Sequence, residues 1–335
     1  MPRKIAILAT DKAIVGGIIT LIETFDYCNM YWKTIKPESN ELLFECSIVS
    51  PLGNPISNSA GVQLATKSLE QSNYLLDMDA VIVASTVISD QQSFNEYLLS
   101  FAPISQAIIE FKKLDRPISG YCSGVLVLAA TGLLDHHKAT CAWWLSSMFT
   151  QLYPQVHLSM DKIVIKDNGI FTAGAASANL SLALVLVREL ANEKLASKIS
   201  KLLLIDPNRS SQMPFIDRRL VPEHQDELIY KVQQWMQKDI QDNSSIEELS
   251  NRFAVSERTL IRRFKKATGE TPAAYRQRLR VEEAKMLIES SNLSIEKISN
   301  SVGYEDISAF RKSFSRHTSL SPNAYRNRFK TEPLN

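Results

Sequence analysis

Between residue 1 and about residue 215 the chain alternates two hydrophobic patterns. Short apolar runs at 4–8, 44–50, 80–84, 118–121, 163–165 and 170–172 are separated by segments of helical period at 101–114, 124–131 and 178–190. Strand-length runs that are apolar on both faces, alternating with helices, predict a mostly parallel sheet covered by helices on both sides. The segment IDPNRSSQMPFIDRRLVPEHQ, rich in Pro, Ser and charge, then breaks the pattern. The expected division is an α/β domain over 1–215, a linker over 216–225 and an all-α domain over 226–330. The last opens with a helix carrying Leu228, Val232, Trp235, Met236 and Ile240.

The all-α part contains the same segment twice. SIEELSNRFAVSERTLIRRFKKATGETPAAYRQR begins at Ser245, and SIEKISNSVGYEDISAFRKSFSRHTSLSPNAYRNR begins at Ser294. The copies align at an offset of 49 as far as Asn251/Asn300 and of 50 from Leu260/Phe310 through Tyr275/Tyr325, so one extra residue sits in the second copy's turn. Each reads as a short helix, a turn of a few residues and a second helix with an inward i, i+4 apolar pair, which is helix-turn-helix spacing. Ser245 with Glu248 predicts a capping box, and Ser256 an N-cap. With Leu260 and Phe264 inward, Arg258 and Arg262 point outward beside Ile261; with Phe310 and Phe314 inward, Ser308 and Lys312 point outward beside Arg311. The candidate DNA-reading set is Arg258, Thr259, Ile261, Arg262, Ser308, Arg311 and Lys312. A linking helix from about 275 to 289, with Leu279, Ala284, Leu287 and Ile288, would space the two readers for successive major-groove turns about 34 Å apart.

Charge supports this division. The chain as a whole carries only +2, yet from Ser244 onward 17 Lys and Arg face 11 Asp and Glu, whereas upstream 21 face 25. The basic third is the part expected to meet phosphates. The 44% hydrophobic content is ordinary for a chain that buries full cores, and no apolar run approaches a membrane span. Cys28, Cys46, Cys122 and Cys141 lie far apart without a Cys-x-x-Cys pair, which indicates neither a zinc site nor a disulfide framework. No cofactor or metal is expected. The N-terminus reads as a first strand and not as a signal peptide, so a reducing cytoplasm is the expected compartment.

The sharpest chemical feature upstream is Gly120-Tyr121-Cys122-Ser123-Gly124, placed between a strand and a helix. Small residues flanking a nucleophile let a tight elbow form, and the following helix N-terminus would favour a thiolate.

Residues from about 226 to 330 resemble the AraC/XylS-type DNA-binding domain, above all through Gly303-Tyr304 and Ser321-Pro322. Ser319 stands where that family usually has the glycine that Gly269 supplies in the first copy, and a slightly strained helix end is expected there. The segments GYCSGVLVLAATGLLDHHKATCAWW, SPLGNPISNSAGVQL and FTAGAASANLSLALVLVREL resemble the PfpI-like branch of the class I glutamine amidotransferase-like fold. The combination resembles GlxA-type transcriptional regulators. The resemblance implies an amidotransferase-like sensor domain, a small-molecule effector of amine or amino-acid type, promoter DNA as partner, RNA polymerase as a further partner, and a homodimer.

Departures from the enzyme pattern argue against catalysis. The family's histidine segment reads Ala139-Thr140-Cys141-Ala142-Trp143 here, and Ala142 is no general base; His136 and His137 fall early, in a turn. Ala84-Ser85-Thr86 replaces a Gly-Gly loop whose N–H groups would hold an oxyanion. Glu23 aligns with the family's acid beside the cysteine. The candidate effector pocket is therefore Glu23, Thr86, Cys122, Ser123 and Trp143, with Trp144 as a further cation-π wall. The alternative is a cysteine-dependent hydrolase or deglycase fused to a DNA-binding module.

Overall fold

A computed structural model describes the chain except for residues 39–40, 59, 70–73, 207–208, 217–225 and 331–335. It divides into two compact units, Met1–Gln212 and Met213–Asn335. The boundary thus falls three residues before the one expected, because the 3₁₀ turn Met213–Phe215 packs with the helical unit. Of the expected linker 216–225, all but Ile216 lies outside the described residues.

The first unit is built on a seven-stranded sheet in the order Val164–Asp167, Ile170–Ala173, Ile118–Tyr121, Ala80–Val83, Arg3–Leu8, Phe44–Ser50, Lys67–Ser68. Every neighbouring pair is parallel except the edge hairpin of the first two strands. That hairpin turns on Asn168 and Gly169, both at positive φ (48° and 69°), the backbone that a two-residue I′ turn demands. The central strands are apolar without alternation because both faces are covered: Ile5 to Leu8 and Ala80 to Val83 are all fully buried. The helix expected over 101–114 is the shorter Ser105–Lys112, and a separate helix that the pattern does not predict, Gln91–Phe101, precedes it through the 3₁₀ turn Ala102–Ile104. Pro103 lacks an N–H and cannot continue a helix through that point.

The second unit has seven helices among its described residues: Glu227–Lys238, Ile246–Arg252, Glu257–Thr268, Pro272–Ser290, Ile295–Ser301, Ile307–Thr318 and Pro322–Phe329. They bury two separate cores. One collects Ile229, Val232 and Met236 with Leu249, Leu260, Phe264, Tyr275 and Leu279; the other collects Val281, Ala284 and Ile288 with Ile295, Ile298, Val302, Phe310, Phe314 and Tyr325. The 19-residue linking helix Pro272–Ser290 gives its first half to one core and its second half to the other.

The internal repeat holds at the level of single contacts. Phe264 meets Tyr275 edge-on at 5.2 Å, and Phe314 meets Tyr325 edge-on at 5.4 Å. Fully buried phenylalanines of this kind are worth about 3–5 kcal/mol each against alanine. Ser245 and Glu248 form the capping box, and Ser256 caps the second helix through the Thr259 N–H. The extra residue of the second copy lies in its turn: Phe253–Ser256 separates the helices of the first copy, and the five residues 302–306 separate those of the second. Ser319 closes its helix at φ 59°, a left-handed backbone that a side chain adopts at a cost.

Candidate functional site

On the first recognition helix, Glu257–Thr268, Leu260 and Phe264 are fully buried and Arg258, Ile261 and Arg262 are exposed. Thr259 is half-buried and its hydroxyl accepts from Ser256 Oγ at 2.9 Å, so it belongs to the cap as well as to the outward face. Ile261 borders a hollow of about 230 Å³ that Ile246, Leu249 and Pro272 also line. On the second recognition helix, Ile307–Thr318, Ser308, Arg311 and Lys312 are exposed while Phe310 and Phe314 are buried. Arg311 Nη2 stands 3.4 Å from Glu296 Oε1, a partner 15 residues away that helical geometry does not predict.

The neighbour of Arg262 is tied down. Arg263 donates to both carboxylate oxygens of Asp226, from Nε at 2.9 Å and Nη2 at 2.6 Å. Asp226 is also the N-cap of Glu227–Lys238, accepting from Ile229 N–H. The Arg263 guanidinium first, and that N–H besides, hold the Asp226 carboxyl below its ordinary range.

In the first unit, the strand Ile118–Tyr121 ends in a sharp elbow at Cys122. Cys122 sits at φ 54°, and its N–H donates to the carbonyls of Ala173 and Gly174 on the adjoining chain. The turn is possible because the helix that follows comes down onto the neighbouring strand: a Cβ on Gly124 would lie 2.4 Å from the Val83 carbonyl oxygen. Only glycine fits so close an approach. Ser123 is fully buried; its Oγ accepts from Thr86 N–H and donates to Thr86 O, both at 2.8 Å. Thr86 Oγ1 in turn donates to Lys12 O at 2.6 Å. Thr86 and Ser123 thus spend their hydrogen bonds stapling the loop after Ala80–Val83 to the elbow.

Burial works against the expected thiolate. Cys122 is 3% exposed, and burial pushes its thiol up to about 11, more than the Ser123 backbone N–H lowers it. A seven-residue helix behind it does not offset that desolvation. Ala142 is itself fully buried. His136 is exposed in the turn, and the His137 ring faces the edge hairpin, 3.6 Å from Asp167 and 3.2 Å from Asn168.

A profile of the DJ-1/PfpI family matches residues 4–189, more than half of the chain. The chain belongs to the DJ-1/PfpI family. A helix-turn-helix domain profile matches residues 249–328, across both repeat copies. The HTH-type transcriptional regulator CdhR of Pseudomonas aeruginosa is 27% identical over 65% of this chain and 66% of its own length. GlxA of Rhizobium meliloti, also an HTH-type transcriptional regulator, is 24% identical over 85% of this chain and 86% of its own. The chain is accordingly a transcriptional regulator with an AraC-type helix-turn-helix domain fused to a PfpI-like domain. The crystal structure of Drosophila melanogaster DJ-1beta covers 62% of this chain and all of its own at a TM-score of 0.50 and 19% identity, a likeness of fold.

The resemblance puts Glu23 beside the cysteine. It is exposed on Val15–Ile35, whose buried face is Val15, Ile18, Leu21, Thr24, Phe25 and Cys28. The residue of that helix that closes on the elbow is Gly17, where a Cβ would lie 2.8 Å from Tyr121 Oη. Six residues on, Glu23 lies about 9 Å along the axis and on another face. Trp143 is half-buried and packs edge-on against Trp144 at 5.3 Å. Sequence reasoning missed three buried oxygens among the described residues of this unit: Gln212 Oε1, which has no hydrogen-bond partner, and the hydroxyls of Ser85 and Tyr121, which face each other. Gln212 spends its amide nitrogen on Thr140 Oγ1, Cys141 O and Lys162 O, while its free oxygen faces Gly174. That unpartnered acceptor marks a place where a polar group or a water would be held. Nothing local in the sequence signals them, since Ser85, Tyr121 and Gln212 come from three distant segments.

Proposed function

We propose that the PfpI-like unit is a sensor that binds an amine or amino-acid-like small molecule near the elbow without turning it over, and that the helical unit reads a promoter through two subsites. The observation that carries the sensor reading is Cys122 buried with a raised thiol, the family's histidine position being the buried Ala142. Binding needs no transition-state stabilisation, so an elbow with Ala142 at that position still serves it. The buried hydroxyls of Ser85 and Tyr121 offer polar groups to an amine, and the Trp143–Trp144 pair offers aromatic faces to a cation. Glu23 leaves the candidate pocket; Thr86 and Ser123 shape it. An effector with different affinity for two arrangements of the protein would bias promoter binding. We place this regulator in the cytoplasm as a homodimer, with RNA polymerase as its protein partner; light scattering of the full chain at tens of micromolar tests the dimer.

The decisive measurement is a thermal-shift screen with primary amines, quaternary amines and amino acids. A true effector at about 100 times its dissociation constant adds about 2.7 kcal/mol of stability. Cys122→Ser should change that affinity by a modest factor and leave promoter binding intact. With its thiol near 11, Cys122 should react with iodoacetamide at pH 8 about 100-fold more slowly than a free thiol of ordinary pKa near 9. The left-handed backbone at Cys122 is also what a nucleophile elbow uses, which keeps the hydrolase reading in play. Cys122-dependent consumption of an amide, ester or glycated substrate at enzymatic rates would replace the sensor reading with it.

A further inference from the structure

Arg280 lies mid-way along the linking helix and is 8% exposed. Its Nε donates to Ile240 O at 2.9 Å, and its Nη2 reaches Gln241 O at 3.2 Å, Asp242 O at 3.1 Å and Asn243 Oδ1 at 2.8 Å. These acceptors all belong to the segment that leads into the Ser245 cap of the first helix-turn-helix. The same guanidinium lies over the Tyr304 ring, 5.5 Å from its centroid, in the turn of the second. Tyr304 passes the contact on to the second recognition helix: its ring meets Phe310 at 5.4 Å and its hydroxyl donates to Ser313 Oγ at 2.9 Å. Gln241 Nε2 adds a second tie between the two copies, donating to Ser301 O at 2.9 Å.

Gly303 makes room for this joint. It holds φ 82°, and a Cβ there would lie 2.8 Å from Arg280 Nη2 and 2.9 Å from Gln241 Cα. The two apolar cores share no buried side chain, so the linking helix alone would let each motif rock about its axis. A planar, five-donor guanidinium with fixed directions resists such rocking where an ammonium on a flexible stem would not.

We propose that Arg280 is a positioning residue that fixes the mutual orientation of the two recognition helices, and through it the spacing of the two DNA subsites. This rests on reading both motifs as DNA readers. One base pair inserted between subsites shifts the second by about 3.4 Å and about a tenth of a turn, so a rigid joint penalises it and a loose joint tolerates it.

The experiment selects binding duplexes from a random-sequence library with the full wild-type chain, then measures dissociation constants on the selected duplex and on versions with one or two base pairs inserted between its subsites. Wild type should lose at least about tenfold on insertion. Arg280→Gln should bind the selected duplex about tenfold more weakly, with its insertion penalty shrunk below about threefold and its salt dependence unchanged, since no phosphate contact is removed. Arg280→Lys should not restore the wild-type penalty. If Arg280→Gln fails to fold by circular dichroism, Gln241→Ala, which alters an exposed side chain, should lower the insertion penalty about two- to threefold. An insertion penalty equal to wild type in the folded variants overturns the proposal. Failure of the underlying reading looks different: wild type would then enrich no sequence, or only a single undivided subsite.

Discussion

The first helix-turn-helix copy offers the duplex two exposed arginines, Arg258 and Arg262; the second offers Lys312, with Arg311 drawn toward Glu296. The cores behind them share the edge-on Phe–Tyr pair. What differs is the chemistry of the outward face. A guanidinium can present two parallel donors to a guanine edge, whereas an ammonium acts as a point charge. The copies also store backbone strain at opposite ends of the recognition helix. In the turn, Ala254 (φ 53°) stands where the second copy has Gly303; at the helix end, Ser319 (φ 59°) stands where the first has Gly269. The two copies therefore share their helix-turn-helix frame and differ in the outward face and in where the strain sits. The first copy should dictate more of the operator sequence than the second.

The largest effect that could break this contrast is on specific affinity. Arg262→Ala should cost about 1–3 kcal/mol, roughly five- to 150-fold, on the selected duplex relative to random duplex. Lys312→Ala should lose less than tenfold on the same ratio, and equal losses in titrations of the two variants would erase the asymmetry. Next come the strained residues. Ala254→Gly and Ser319→Gly should each stabilise the fold by up to about 1 kcal/mol in denaturant unfolding, because glycine enters the left-handed region without steric cost. Smaller still, Glu296→Gln should free Arg311 and change affinity for the selected duplex by less than about threefold, as expected of an exposed ion pair. The sharpest control is Arg263→Ala, which should leave the specific-to-random ratio unchanged while lowering the melting midpoint. Because Arg263 holds the Asp226 carboxyl low in the folded state, the stability it adds is present above the ordinary carboxylate range and is lost as pH falls through the lowered value. Wild type and variant should therefore converge in acid.

The reading faces, the caps and the repeat were legible in the sequence because each is encoded within a few residues. Ser245 caps through a residue three positions on, and Leu260 and Phe264 define inside and outside by helical period alone. The elbow was legible for the same reason, since Gly124 and Cys122 are two residues apart. Contacts set by tertiary packing were not legible. The rotation of Val15–Ile35 about its axis, which turns Glu23 to solvent and Gly17 to Tyr121, is fixed by what the helix packs against. Arg263 finds Asp226 across 37 residues. Burial raises the Cys122 thiol in an elbow whose N–H is held by Ala173 and Gly174, about 50 positions away. A pattern names the residue type that chemistry requires; whether water reaches it is decided by the whole domain.

The way Pro272–Ser290 divides its residues between two cores constrains how this architecture can change over generations. Each residue added to or lost from a helix turns everything downstream by about 100° and moves it by about 1.5 Å. A single-codon insertion between Leu279 and Val281 would swing the entire second motif off the face of the duplex while both cores stayed packed. Only insertions close to whole helical turns keep both readers facing the same way, and those move the second reader by about 5.4 Å per turn. Base identities within each subsite can drift one substitution at a time. The distance between subsites can change only in coarse steps, so relatives with a linking helix of this length should share operator spacing even where they share no operator sequence.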